Sequence, residues 1–95
     1  MKKVLFSRKA AQEFLDATNY YNNESAGLGD ELYEEIHQAL SLIFRYPEIG
    51  LPLQHNLRRF VLARFPYYII FRPLSDGRIR ILAVAHQKRK PEYWQ

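Results

Sequence analysis

Cysteine is absent from this sequence of 95 residues. That excludes a disulfide framework and a cysteine-ligated zinc site, and makes a reducing cytoplasm the expected setting. Long apolar runs are missing too. The N-terminus, MKKVLFSRKAAQEF, has only three consecutive apolar residues before Ser7 and Arg8, far short of a signal-peptide core. No segment approaches the run of about 20 residues that a membrane span needs. There is no Gly-rich phosphate loop, no G-x-S-x-G, no H-E-x-x-H and no paired metal-ligand spacing, so neither cofactor nor metal is expected. Internal repeats and low-complexity segments are also lacking. One domain over residues 1–95 is therefore expected, just long enough to bury more than half of the surface its unfolded chain exposes.

Tyrosine is plentiful: there are seven among the 15% aromatic residues, a content that suits surfaces that bind. The net charge of +4 conceals an asymmetry. Residues 1–57 hold five basic against eight acidic residues, a net of −3, and residues 58–95 hold nine basic against Asp76 and Glu92, a net of +7. If the halves segregate in space, the positive one attracts nucleic acid or an acidic protein segment. The simpler alternative is that basic strands have a solvated face.

Lys3 to Phe6 reads as a short first strand closed by Ser7, a good helix N-cap. Ala11, Phe14, Leu15, Thr18 and Tyr21 then recur at helical spacing, which predicts a helix over 8–21, broken by Asn22 to Ser25. A second helix carries the stripe Leu28, Leu32, Ile36, Leu40, widened by Tyr33, Ala39, Ile43 and Phe44. Its acidic residues crowd the first turns and Arg45 sits in the last, as the helix dipole favours; Pro47 ends it. Pro47 to Asn56 has no periodicity and reads as a loop. Arg58–Ala63, Tyr67–Arg72 and Arg78–Ala85 read as strands, with Ser75-Asp76-Gly77 as hairpin-turn chemistry between the last two. In the last strand Ile79, Ile81 and Ala83 alternate with Arg78 and Arg80, which predicts an antiparallel meander with one buried and one basic face. The order is β-α-α-β-β-β, an α+β domain with a helical hairpin on one face of an antiparallel sheet. Phe60, Leu62, Ile69, Phe71, Ile79 and Ile81 are expected to pack against Leu32, Ile36, Leu40, Ile43, Phe14 and Leu15.

His37 and His55 read as exposed histidines without a role. His86 ends the last strand just before Lys88, Arg89 and Lys90, where neighbouring cations favour a neutral ring able to act as a base. The ending Gln87-Lys88-Arg89-Lys90-Pro91-Glu92-Tyr93-Trp94 joins a basic run to aromatic rings, ingredients for phosphate contact with base stacking, or for docking on an acidic protein groove with Trp94 as anchor. Alternatively, Tyr93 and Trp94 fold back to seal the core.

The element order resembles that of the ParE/RelE superfamily of bacterial type II toxins. So do FRYPEIG (residues 44–50), RRFVLARFPYYIIFRP (58–73) and ILAVAHQKRKPEYW (81–94). F-P-Y-x-I-x-(Phe/Tyr), together with the A-V-A-H-x-x-R-x-P-x-Y-W close, is more similar to the ParE branch than to the RelE branch. The resemblance implies a toxin of growth arrest and plasmid stabilisation, bound to a cognate antitoxin as a hetero-oligomer. ParE members poison DNA gyrase; RelE members cut messenger RNA on the ribosome without a metal. A RelE-type mechanism implies Arg59 as a phosphate cation and Tyr93 at the tyrosine position, with His86 as the remaining candidate. It also expects cations where this chain has Val61, Tyr68 and Gln87. Each missing cation removes charge stabilisation of the transition state, on the order of a hundredfold in rate. The expected reading is a non-enzymatic gyrase inhibitor. The alternatives are a ribosome-dependent endoribonuclease and a relic that only binds its antitoxin. Arg59, Arg64, Tyr68, Arg80, His86, Lys88, Arg89, Tyr93 and Trp94 are the expected target-binding residues. An acidic, partly disordered antitoxin segment is expected on the basic face or in a groove beside the helical hairpin.

Overall fold

The structure, a computed structural model, describes residues 4–89 and Tyr93. The chain runs β1 (Val4–Phe6), α1 (Arg8–Glu24), α2 (Leu28–Arg45), β2 (Leu51–Pro52), a turn of 3-10 helix (Gln54–Asn56), β3 (Arg58–Val61), β4 (Tyr67–Pro73) and β5 (Ile79–His86). The strands form one sheet in the order β1-β5-β4-β3-β2. The two helices pack on one face, the α+β arrangement expected. Two features depart from the sequence reading. The segment read as a loop contains β2, paired with β3, and β1 lies parallel to β5, so the sheet is mixed.

Ser7 starts α1 as predicted, its hydroxyl accepting from the Ala10 N–H at 3.0 Å. The helix runs to Glu24, almost a turn past its expected end. Asn22 stays in the helix because its side chain is engaged by the neighbouring one. Its Oδ1 accepts from the Gly29 N–H at 2.8 Å, and its Nδ2 lies 3.3 Å from Asp30 Oδ1. Helix α2 has Gly27 at its N-cap position and so no side-chain cap of its own; Asn22 satisfies one of its orphan donors from outside. The α2 stripe buries Leu32, Ile36, Ala39, Leu40 and Ile43, as expected, but Tyr33 and Phe44, expected to widen it, lie at its edges and are exposed.

The face of α1 is not the one expected. Ala10 and Ala17 are buried, Phe14 and Tyr21 are half-buried against the core, and Ala11 is exposed. Leu15, expected in the core, is 54% exposed. The two alanines let the helix backbone come close to the sheet, which centres the buried stripe on Ala10, Phe14, Ala17 and Tyr21 and turns Leu15 outward.

Phe60 pairs with Ile69, and Phe71 with Ile81. These four, with Leu62 and Ile79, pack into the core beneath the helices in the expected register. Beyond Ile81 the parity changes. Ile70 pairs with Ala83 while Phe71 pairs with Ile81, leaving Leu82 as an extra residue in β5. A bulge of one residue moves the remainder of the strand to the opposite face. Ala83, expected with Ile79 and Ile81, instead joins Leu57, Tyr68, Ile70 and Ala85 in a second apolar cluster on the face away from the helices. That face is therefore not simply basic and solvated.

Candidate functional site

Beyond Phe6 the sheet edge formed by β1 ends, and the exposed edge of β5 meets α1. Glu13 closes it: its Oε1 accepts from the Val84 N–H at 3.0 Å, and its Oε2 accepts from the Tyr93 hydroxyl. Tyr93 packs against the cluster of Tyr68, Ile70, Ala83 and Ala85, with Lys9 Nζ 4.5 Å and the Arg89 guanidinium carbon 4.1 Å from its ring centroid. Contacts of this kind contribute roughly 0.5–1 kcal/mol each at exposed sites. Tyr93 thus folds back on the sheet, one of the two arrangements the sequence left open. Trp94, Lys90 and Glu92 lie outside the described residues.

Burial pushes the Tyr93 phenol well above its ordinary value near 10, and the adjoining Glu13 carboxylate pushes it further the same way. Because the folded state holds the proton more tightly than the unfolded one, the stabilisation is complete below pH 10 and lost as pH rises beyond it. Tyr21, Tyr67 and Tyr68 are shifted upward too, chiefly by burial. Tyrosinate absorbance should therefore develop late and together with alkaline unfolding. In Tyr93→Phe the fall in melting temperature above pH 10 should be shallower, and an unchanged slope would refute the assignment.

Beside Tyr93 opens a cleft of about 290 Å³ that includes Glu13, Asp16, Tyr20, Tyr67, His86 and Arg89 in its lining. His86 Nδ1 accepts from the Lys88 N–H at 3.0 Å, so the neutral ring carries its proton on Nε2. The ring stands edge-on to Tyr67, at 5.1 Å. Arg59 does not line this cleft. It lies on the open sheet face, its guanidinium carbon 5.6 Å from the Tyr68 ring centroid. The structure therefore gathers His86, Arg89 and Tyr93, and leaves Arg59 apart. Lys88 is exposed nearby. Arg80 shares the open face with Arg59, whereas Arg64 turns to α2 and pairs with Glu31 at 2.6 Å. Glu35 supports the same turn, its Oε2 accepting from the N–H groups of Ala63 and Arg64.

Sequence reasoning missed Glu13, Lys9 and Arg72 as parts of this surface. Arg72 was open to detection, since strand parity places it with Tyr68 and Ile70. Glu13 was not, because nothing local to α1 tells that Val84 and Tyr93 come to meet it. No cluster of metal-binding side chains occurs among the described residues, and no helix described is long and apolar enough to cross a membrane.

A second feature lies on the helical side. Phe6, Ala11, Phe14, Leu15, Thr18 and Tyr33 line an apolar groove of about 320 Å³, with Tyr33 52% exposed. Phe14 stacks on both Phe6 and Tyr33, fixing its shape.

The family model for the ParE toxin of the type II toxin-antitoxin system parDE matches residues 4–91. The chain belongs to this family. A solved structure of a chromosomal ParDE toxin-antitoxin system from P. aeruginosa is similar in fold, with a TM-score of 0.74 at 19% identity over 88% of this chain and 94% of that one. A search of curated proteins by sequence gave no match. Membership of the ParE family makes the chain a toxin of a type II system and implies an antitoxin partner. The ParE-type close of the sequence corresponds here to the end of β5, the His86–Arg89 turn and Tyr93.

Proposed function

We propose that this ParE-family toxin arrests growth by binding DNA gyrase through the surface around His86, Arg89 and Tyr93, without catalysing a reaction. The observation that carries the reading is the state of Tyr93. Its hydroxyl is spent on Glu13, its proton is held more tightly than in water, and both cations near it engage the ring. A phenol held this way is poorly suited to general acid or base chemistry, which needs a pKa near the working pH. The positions where RelE-type toxins place cations support the same conclusion: Tyr68 is buried, Val61 is apolar, and Gln87 carries no charge. The decisive assay adds purified toxin to gyrase supercoiling and cleavage reactions and, in parallel, to translating ribosomes. Inhibited supercoiling with intact messenger RNA is expected; messenger RNA cut in the ribosomal A site with supercoiling untouched would establish the ribonuclease instead.

The antitoxin is proposed to seat an apolar segment in the groove between Phe6 and Tyr33. An unpartnered apolar groove with Leu15 turned into solvent is costly surface for a free protein and suits an amphipathic segment that orders on binding. Leu15→Asp should weaken the toxin-antitoxin complex by tenfold or more, roughly the loss of one good interface contact, while leaving the melting temperature of the free toxin nearly unchanged. Equal affinity in a calorimetric titration would move the antitoxin elsewhere.

A further inference from the structure

The five strands contain no aspartate or glutamate. Three arginines nevertheless stand in a row across the face opposite the helices: Arg59 on β3, Arg72 on β4 and Arg80 on β5. Among the described residues the ion pairs are Arg64 with Glu31 and Arg78 with Asp76, so no described carboxylate pairs with this row. Arg72 and Arg80 are direct cross-strand partners, which places two like charges about 5 Å apart at Cβ, an arrangement that by itself destabilises a sheet. Arg59 faces Ile70, two residues before Arg72, and so sits on the adjacent diagonal. The row spans two strand spacings, roughly 10 Å.

Two of the three arginines are anchored in the fold, and Arg80 is exposed. Arg59 is half-buried over Tyr68, and its Nε is buried without a hydrogen-bond partner among the described residues. Arg72 donates from Nε to the His55 carbonyl at 3.3 Å. A row of cations that forms no ion pair with a described carboxylate can take its counter-charge from a bound partner.

We infer that this row binds the phosphodiester backbone of duplex DNA. All three cations are arginine, whose planar fork suits phosphate oxygens better than a lysine point charge does. A nucleic-acid backbone offers the continuous line of anions that a row of arginines can follow. Duplex is favoured over single strands because, among the described residues, the rings on this face are covered or engaged rather than open for base stacking. Tyr68 is only 6% exposed beneath Arg59, and the Tyr93 ring is engaged by Lys9 and Arg89. The inference deepens the gyrase reading and rests on it for its setting: the toxin grips the DNA that gyrase holds.

The test uses the toxin alone, without gyrase. Labelled duplex DNA of arbitrary sequence, single-stranded RNA of equal length and poly-glutamate are titrated at several salt concentrations. Neutralising three phosphates gives a slope of about −3 in log K against log salt, a weakening of roughly 40-fold for a fourfold rise in salt. Arg72→Ala and Arg80→Ala should each reduce that slope by about one, while Arg45→Ala, at the exposed end of α2, should not alter it. Thermal melts accompany each variant, and Arg80→Gln repeats the test with a longer polar side chain. Absence of duplex binding at low salt, slopes unaltered by the arginine variants, or RNA or poly-glutamate bound as tightly as duplex would each overturn the inference. Gyrase inhibition that survives loss of DNA binding would overturn it and spare the functional reading. DNA binding without gyrase inhibition would do the reverse.

Discussion

Gly29→Ala should destabilise the protein far more than one added methyl suggests. Gly29 lies in the first turn of α2 where it crosses α1, and a Cβ there would come 2.0 Å from the Thr18 carbonyl oxygen and 2.6 Å from Asn22 Cγ. The first of these is backbone inside a helix and has nowhere to go, so the helices must part. Parting them also breaks the 2.8 Å hydrogen bond from the Gly29 N–H to Asn22 that serves α2 in place of a cap. Overpacking of this severity costs about 3 kcal/mol or more, against about 1 kcal/mol gained from the better helix former. The net of about 2 kcal/mol corresponds to a fall in melting temperature of roughly 8–16 °C for a domain of this size. Gly27→Ala is the control. Gly27 has a φ of +87° but nothing within 4 Å of its Cβ position, so its loss, backbone strain of about 1–2 kcal/mol, comes with the helix crossing intact. A Gly29→Ala protein that melts at or above the parent temperature would show that the helices do not cross this closely.

Deleting residues 91–95 should abolish growth arrest, whereas Tyr93→Phe should keep it. The deletion removes the ring that covers Tyr68, Ile70, Ala83 and Ala85 and lies against Lys9 and Arg89, and with it a surface of aromatic and arginine character typical of interface hot spots. Losing a hot spot worth about 2 kcal/mol weakens binding roughly 30-fold. Phenylalanine keeps ring and cations, and loses only the hydroxyl. If that hydroxyl moved protons on RNA, Tyr93→Phe would be as inactive as the deletion; on the gyrase reading it is not, and His86→Ala retains arrest as well. Circular dichroism of each variant separates lost function from lost folding. Arrest abolished by Tyr93→Phe in a folded protein would overturn the non-catalytic reading.

Much of the architecture was legible in residue order. The centre of the α2 stripe was legible because Leu32, Ile36, Leu40 and Ile43 recur at helical spacing, although its flanks, Tyr33 and Phe44, are exposed; the sheet register follows from alternation in β3 and β4 with a Gly-containing turn ahead of β5. The stretches 44–50, 58–73 and 81–94 also carried the family resemblance. The face of α1 was less legible because alanine, the residue that sets its approach to the sheet, is silent in a pattern read from large side chains. Arg59, Arg80, His86, Arg89 and Tyr93 could be named from charge and parity; their grouping could not.

By itself, then, the sequence determined the helices, the β3–β5 meander and the gathering of positive charge in its second half, since each depends on periodicities and turn chemistry within a few residues. Only the tertiary structure decided the parallel pairing of β1 with β5, which joins residues some 75 positions apart. It also decided the bulge at Leu82 that moves Ala83 across the sheet, and the meeting of Glu13 with Val84 and Tyr93. Such contacts close long loops, and their geometry depends on how closely α1 lies on the sheet, where Ala10 and Ala17 are buried, and on how closely α2 crosses α1 at Gly29.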